Sequence, residues 1–295
     1  MEIKQRQKKK ISLFNVINYS VFGLFALICL YPLWYVLIGS FNEGMDYLSG
    51  GVYLFPRKFT LDNYRLVFGD AKLWSAFFVT VSRTVLGTTI SVLFTAIVAY
   101  AMSRRETPFR GFFYWANIFT MFFGGGLVPF FLVIKTLGLY DTYWLYLIPC
   151  AYSVYHMIVI SSYFRSIPEE LHEAAVMDGA NEFYIFSRIM LRLAKPVIAT
   201  VSLWVAMGHW NSYFDTMVYT RNEKLWTLQY YLMRLINTSS VNADGITLPQ
   251  SVLESITAES VTYAAIIVSV LPILFVFPFV SKCFDKGIMI GSLKG

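Results

Sequence analysis

Charge is what this sequence has least of. Only 14% of its 295 residues are charged, while 57% are hydrophobic and 18% aromatic. Soluble domains carry roughly 25% charge and about 45–50% apolar residues, so a water-soluble globular domain is excluded. Cysteine is scarce as well. Cys29, Cys150 and Cys283 lie far apart, in or at the end of apolar segments, and fit packing better than a disulfide framework or a metal site. His156, His172 and His209 are too widely spaced to imply a metal. There is no GxxxxGK[ST] phosphate loop, no HExxH, no GxSxG and no CxxC. If ATP drives this protein, the nucleotide is not held by a phosphate loop of its own.

What is present is apolar sequence in blocks of 20 residues or more, the length that crosses about 30 Å of hydrocarbon. Six spans are expected, at about 14–41, 74–102, 112–134, 143–165, 196–220 and 261–282, giving an all-α membrane protein. The basic start MEIKQRQKKK precedes an apolar run too long for a signal peptide, so the first span is read as a retained anchor. Fifteen of the 24 Lys and Arg fall in one set of loops and at both ends of the chain, against eight in the other set. That bias places both termini in the cytoplasm. The chain then divides into a basic N-terminus (1–13), a six-span body (14–282) and a cytoplasmic tail (283–295). The net charge of +6 sits in short loops rather than on one basic face, which argues against nucleic acid.

Pro32, Pro129, Pro149, Pro272 and Pro278 recur within the spans, and Gly124-Gly125-Gly126 softens the third. Kinked packing explains each singly; together they favour helices bent around a pathway. Arg83 falls inside the second span, where a charge costs a few kcal/mol, roughly 2.5–3.5 on the lenient scale. It either snorkels to the outer headgroups or faces a water-filled path. His209, Trp210, Asn211, Tyr213 and Asp215 interleave hydrogen-bonding groups with aromatic faces, as sugar binding requires. An interfacial aromatic belt would account for Trp210 and Tyr213 but not for Asn211 or Asp215. His156 and Asn117 are weaker candidates of the same kind.

The longest polar interruption assigned to the cytoplasm is 166–196. Ser166 and Glu169 have capping-box spacing, Glu169, Glu170 and Glu173 suit a helix N-terminus, and Gly179 supplies a left-handed stop. Leu171, Ala174 and Ala175 form a narrow apolar face. A second helix should pack Phe183, Phe186, Ile189, Met190 and Leu193. An acidic first helix is repelled by anionic lipid, and its alanines allow close backbone approach, so a protein groove suits it better than the inner headgroups.

Glu173-Ala174-Ala175, then Gly179, then Ile189 and Leu191 resemble the cytoplasmic signature of the membrane subunits of bacterial binding-protein-dependent ABC importers. GGGLVPFFLVIKTLGLYDTYW, SIPEELHEAAVMDGA, GHWNSYF and the tail KGIMIGSLKG resemble the maltose-type carbohydrate permeases, most of all those handling complex or polysaccharide-derived oligosaccharides. The likeness covers nearly the whole chain. One departure is Arg192, which stands where the signature has proline, with Pro196 four residues later.

The resemblance implies a non-catalytic permease subunit of the bacterial cytoplasmic membrane. It implies a second, homologous permease as partner, two cytoplasmic ATPases that bind the ATP and Mg, and an extracytoplasmic binding protein that delivers oligosaccharide. This chain would hold no cofactor of its own. Glu173, Ala174, Ala175, Asp178 and Gly179 would belong to a coupling helix seated in an ATPase, with the tail Lys286–Gly295 reaching toward the ATPases. Rival expectations are a permease for peptides or amino acids and an ion-coupled secondary transporter. The latter calls for paired intramembrane carboxylates, and Asp215 is the one acidic residue clearly inside these spans.

Overall fold

The computed structural model describes residues 13–239 and 257–291, and the described residues are helical apart from turns and one isolated bridge, Asn42 with Phe59. In order they form α1 (Leu13–Ser40), α2 (Gly44–Leu48), α3 (Asp62–Gly69), α4 (Ala71–Ser103), α5 (Arg110–Phe122), α6 (Leu127–Thr136) and α7 (Val154–Ser166). There follow α8 (Glu170–Met177), α9 (Glu182–Tyr184), a π-helical segment (Ile185–Met190), α10 (Leu191–Leu193), α11 (Lys195–Asn211), α12 (Phe214–Tyr219), α13 (Leu228–Ser239) and α14 (Ala258–Gly291). The basic residues Lys4 to Lys10, the middle of the 221–260 loop and the final residues of the tail lie outside the described residues.

Phe14–Ser40, Ala71–Ser103 and Ala258–Phe275 are each long and apolar enough to cross a membrane. The other expected spans are interrupted. The third breaks at Phe123–Gly126, where α5 and α6 meet at 115°. Gly126 has φ +84°, and Pro129 falls in the first turn of α6, where its missing N–H costs nothing. The fourth is not one helix over 143–165: a 3₁₀ turn at Tyr143–Tyr146 runs into Pro149, and α7 starts only at Val154, capped by Ser153. The fifth ends as α11 at Asn211 and resumes as α12. The sixth continues as helix to Gly291, past the expected boundary at 282.

The chain divides into two compact units, 1–67 with 238–268 and 68–237 with 269–295. In the first, two buried asparagines organise the connection after α1. Asn63 Nδ2 donates to the Ser40 and Asn42 carbonyls at 2.9 and 3.0 Å, and its Oδ1 accepts from Ser260 Oγ at 2.9 Å. Asp46 accepts from Asn42 and Arg57, and these bonds, the Asn42 one foremost, hold its carboxyl below the usual carboxylate range.

In the second unit α4 is the axis. Asp70 caps it by accepting from Lys72 N at 2.7 Å, and no proline interrupts its 33 residues. Ala76, Thr80, Arg83, Gly87, Ser91, Thr95 and Ala99 recur every three or four residues on its buried face. Apart from Arg83 they are small, which lets α7 and α11 pack closely along it. At Gly87 a Cβ would lie 2.5 Å from His209 Nε2.

The 166–196 loop departs from expectation in two places. Ser166 ends α7, donating to the Tyr163 carbonyl at 2.7 Å, and no side chain caps α8. Ile167 precedes Pro168, which forces it into extended backbone and makes Ser166 a helix end rather than a helix start. In the second half the wider π turn shifts the register. Ile185, Phe186, Met190 and Ala194 are buried, whereas Phe183 and Leu193 face outward. Gly179 does close α8, at φ +80°, with Ala180 N bonding the Ala175 carbonyl and Gly179 N that of Val176. Helix runs through Arg192; the 82° bend comes after Ala194, with Pro196 in the first turn of α11.

Replacing Gly87 by alanine should force His209 out of place and lower stability by about 1–3 kcal/mol, the usual cost of overpacking. Gly111→Ala, at a position open on the surface, should leave thermal unfolding in detergent unchanged; equal unfolding temperatures for the two variants would contradict the close helix contact.

Candidate functional site

Two polar constellations stand against the apolar background, both in the second unit. The first starts from Arg83, which is 1% exposed. A buried guanidinium needs a counter-charge, and α12 supplies one 132 positions along the chain. Arg83 Nη1 donates to Asp215 Oδ1 at 3.2 Å and Nη2 to Oδ2 at 2.5 Å. Its Cζ lies 4.4 Å from the centre of the Tyr146 ring. Asp215 Oδ1 also accepts from Ser212 Oγ at 2.8 Å and from Thr216 N at 3.0 Å. These bonds reward the backbone for leaving the helix at Ser212, which explains the gap between α11 and α12. Arg83 therefore does not snorkel; it is held inside by an ion pair.

A cavity of about 290 Å³ opens beside this pair, lined among others by Ser91, Tyr152, His156, Trp204 and His209. The His156 ring stacks on Trp204, centroids 6.1 Å apart and planes 29° apart. His156 Nδ1 and Arg83 Nε are buried with no hydrogen-bond partner among the described residues. Such a space offers imidazole and hydroxyl groups for hydrogen bonds and an indole face for apolar contact.

Of the residues singled out in the sequence, Arg83, His156, His209 and Asp215 meet here. Asn117 is one step removed, accepting from the Tyr152 hydroxyl at 2.5 Å and donating to the Phe113 carbonyl. Trp210 turns the other way. It meets Phe77 edge-on and, with Val81, Met207 and Pro272, lines an apolar cavity of about 340 Å³. Asn211 and Tyr213 are exposed. Tyr146, Trp204 and Gly87 were not anticipated. Only Gly87 left a trace, as a small residue four positions from Arg83 on one helix face.

The second constellation is the loop. Glu173, Ala174, Asp178 and Gly179 are exposed, while Ala175 packs into the core beside α4 and α7. Met177 is 87% and Phe183 76% exposed, and Glu170, Glu173 and Asp178 of the same loop are exposed as well. On the buried side of the loop, Arg104 Nη2 donates to His172 Nδ1 at 2.8 Å. Arginine can only donate, so the ring proton is on Nε2, which donates to Glu182 Oε1 at 3.0 Å. Glu182 Oε2 accepts from the Tyr100 hydroxyl at 2.5 Å. Burial pushes the Glu182 carboxyl up, but the bonds from Tyr100 and His172 outweigh it and leave the group below its ordinary value. Its contribution to the loop is thus full at neutral pH and is lost as pH falls through that lowered value.

Arg83→Leu leaves Asp215 without its counter-charge. It should cost about 3 kcal/mol, the low end for a broken buried pair because Asp215 keeps some exposure. Arg83→Leu with Asp215→Leu should cost less than Arg83→Leu alone. Thermal unfolding of the purified variants checks this, and a double variant as unstable as the sum of the singles would contradict the pairing.

Known proteins agree with this architecture. Polygalacturonan/rhamnogalacturonan transport system permease protein YtcP of Bacillus subtilis (strain 168) is 36% identical over 286 residues, which are 96% of this chain and 99% of its own. Protein LplC of the same organism is 37% identical over 283 residues, 96% of this chain and 95% of its own. A chain from the crystal structure of a bacterial ABC transporter involved in the import of the acidic polysaccharide alginate superposes with a TM-score of 0.87 at 34% identity, covering 96% of this chain and 99% of that one. The family of binding-protein-dependent transport system inner membrane components matches residues 87–290, more than half of the chain, and the chain belongs to that family.

Proposed function

We propose that the chain is one permease subunit of an importer carrying an oligosaccharide across the bacterial cytoplasmic membrane. The observation that carries this is the cavity beside Arg83 and Asp215, where His156, His209 and Trp204 offer both the polar and the aromatic contacts a sugar needs. The relatives named for polygalacturonan and alginate support the same class of solute. Six crossings with both termini inside fit the three long helices, the bent α5–α6 pair, α7 with the turns before it, and α11 continued by α12. A second permease would complete the path, and an extracytoplasmic binding protein would load it.

The exposed face of α8 supports a docking role for the loop. Exposed Met177 and Phe183, on a loop that also exposes Glu170, Glu173 and Asp178, are chemistry for a protein groove with basic edges, and a pair of cytoplasmic ATPases holding ATP and Mg fits that description. No step of the chemistry of hydrolysis falls to this chain. Its part is to be moved by the loop and to alternate between two arrangements around the cavity.

Two measurements test the reading. Glu173→Lys reverses a charge on the docking face and should insert normally yet lose co-purification with the ATPases; normal co-purification would remove the docking role. His156→Ala with Trp204→Ala should abolish most of the ATP hydrolysis stimulated by oligosaccharide-loaded binding protein in vesicles. If sugar-stimulated hydrolysis survived that pair of changes while a peptide or amino acid proved to be the transported solute, the carbohydrate assignment would fall.

A further inference from the structure

The loop would fail as a transmission element if it hung from α11 alone. The chain turns by 82° after Ala194, and a push on α8 would simply fold that joint. The loop is also joined to α7 at Ile167, and a polar attachment to α4 is present besides. Tyr100, near the end of α4, and Arg104, just beyond it, grip Glu182 and His172 on either side of the Gly179 turn. Tyr100 and His172 are each 8% exposed, so the grip is seated in the protein even though the Glu182 carboxylate reaches water. The Tyr100 ring also packs on Phe164 of α7 and Phe186 of the π segment, at 5.9 and 5.3 Å.

The same helix carries Arg83 about 25 Å away, at 1.5 Å per residue without a proline between. There it holds Asp215, beyond the far end of α11. Thus α4 is fastened by polar bonds to the chain on both sides of α11, once to the loop before it and once to α12 after it.

We infer that the Tyr100–Glu182–His172–Arg104 network is a positioning clamp that makes the loop, α4 and α11 turn as one body, so that displacement of α8 is delivered to the Arg83–Asp215 cavity instead of being absorbed at Ala194. These are positioning residues, remote from any solute. The inference rests on the proposal that α8 is the segment the ATPases move, and extends it by naming what passes the movement on.

The test compares Tyr100→Phe, His172→Ala, the two combined, and His172→Gln, whose amide can still donate toward Glu182. Each is reconstituted with the ATPases, and ATP hydrolysis is measured with and without binding protein loaded with oligogalacturonide. ATPase co-purification and basal hydrolysis should match the parent. Stimulation should fall about tenfold in Tyr100→Phe and His172→Ala, within the span of known coupling energies. The combined variant should be no worse than the weaker single, as for residues acting as one unit, and His172→Gln should recover most of the loss. Parental stimulation in every variant, or losses that simply add, would overturn the clamp. Should His172→Ala fail to assemble, Tyr100→Phe decides, because its site lies outside the loop. A parent chain that never retains ATPase would overturn the docking proposal and the clamp with it; retained ATPase with unchanged stimulation overturns the clamp alone.

Discussion

A guanidinium in a low-dielectric interior is tolerated only when paired, and the bond between Arg83 and Asp215 governs much of the second unit. To bring the carboxylate to α4, the chain must leave α11 at Ser212 and start α12 two residues later. To cover the cation, Tyr146 must turn inward, and its hydroxyl then finds Thr216 and the Leu225 carbonyl. Thr216 in turn meets Thr227, and Thr80 accepts from Leu228 N, so the start of α13 is tied to the same centre. The cavity is the space that these obligations leave open next to α7 and α11.

Composition and apolar run length made the helical membrane class legible, because the bilayer demands internal satisfaction of every backbone group. Gly179 was legible for a similar reason: a helix stop at φ +80° suits glycine above all. Arg83 and Asp215 could each be flagged as costly. That they satisfy each other could not be read, since nothing local records a partner 132 positions away. The helix breaks were half legible: Gly124-Gly125-Gly126 and Pro149 marked soft positions, but not that the helix stops there. Apolarity reports residence in the membrane, not continuity of hydrogen bonding, and the break at Ser212 carries neither glycine nor proline to announce it.

The loop divides in the same way. Its outward face follows from spacing, so Glu173, Ala174 and Gly179 stand out in one dimension. Its inward face does not. His172 reads as an ordinary polar residue of an amphipathic helix until Arg104 and Glu182 are seen on its two nitrogens. The capping box failed on Ile167, whose extended backbone before Pro168 handed Ser166 to the preceding helix. The aromatic set in the fifth span failed on helical geometry: His209 and Trp210 are adjacent in sequence and so point to different sides of α11, one to the polar cavity and one to the apolar one.

The notch at Gly87 has a mechanical meaning. With the His209 ring seated where a side chain would otherwise be, the two helices are keyed together like a ball in a detent. Sliding along their length would drive the ring into Arg83 on one side or Ser91 on the other, because those neighbours lie one turn away on the same face. The contact that sets the spacing of α4 and α11 therefore also fixes their register, at the height of the cavity. A missing methyl group thereby indexes the two helices to each other where the cavity walls meet.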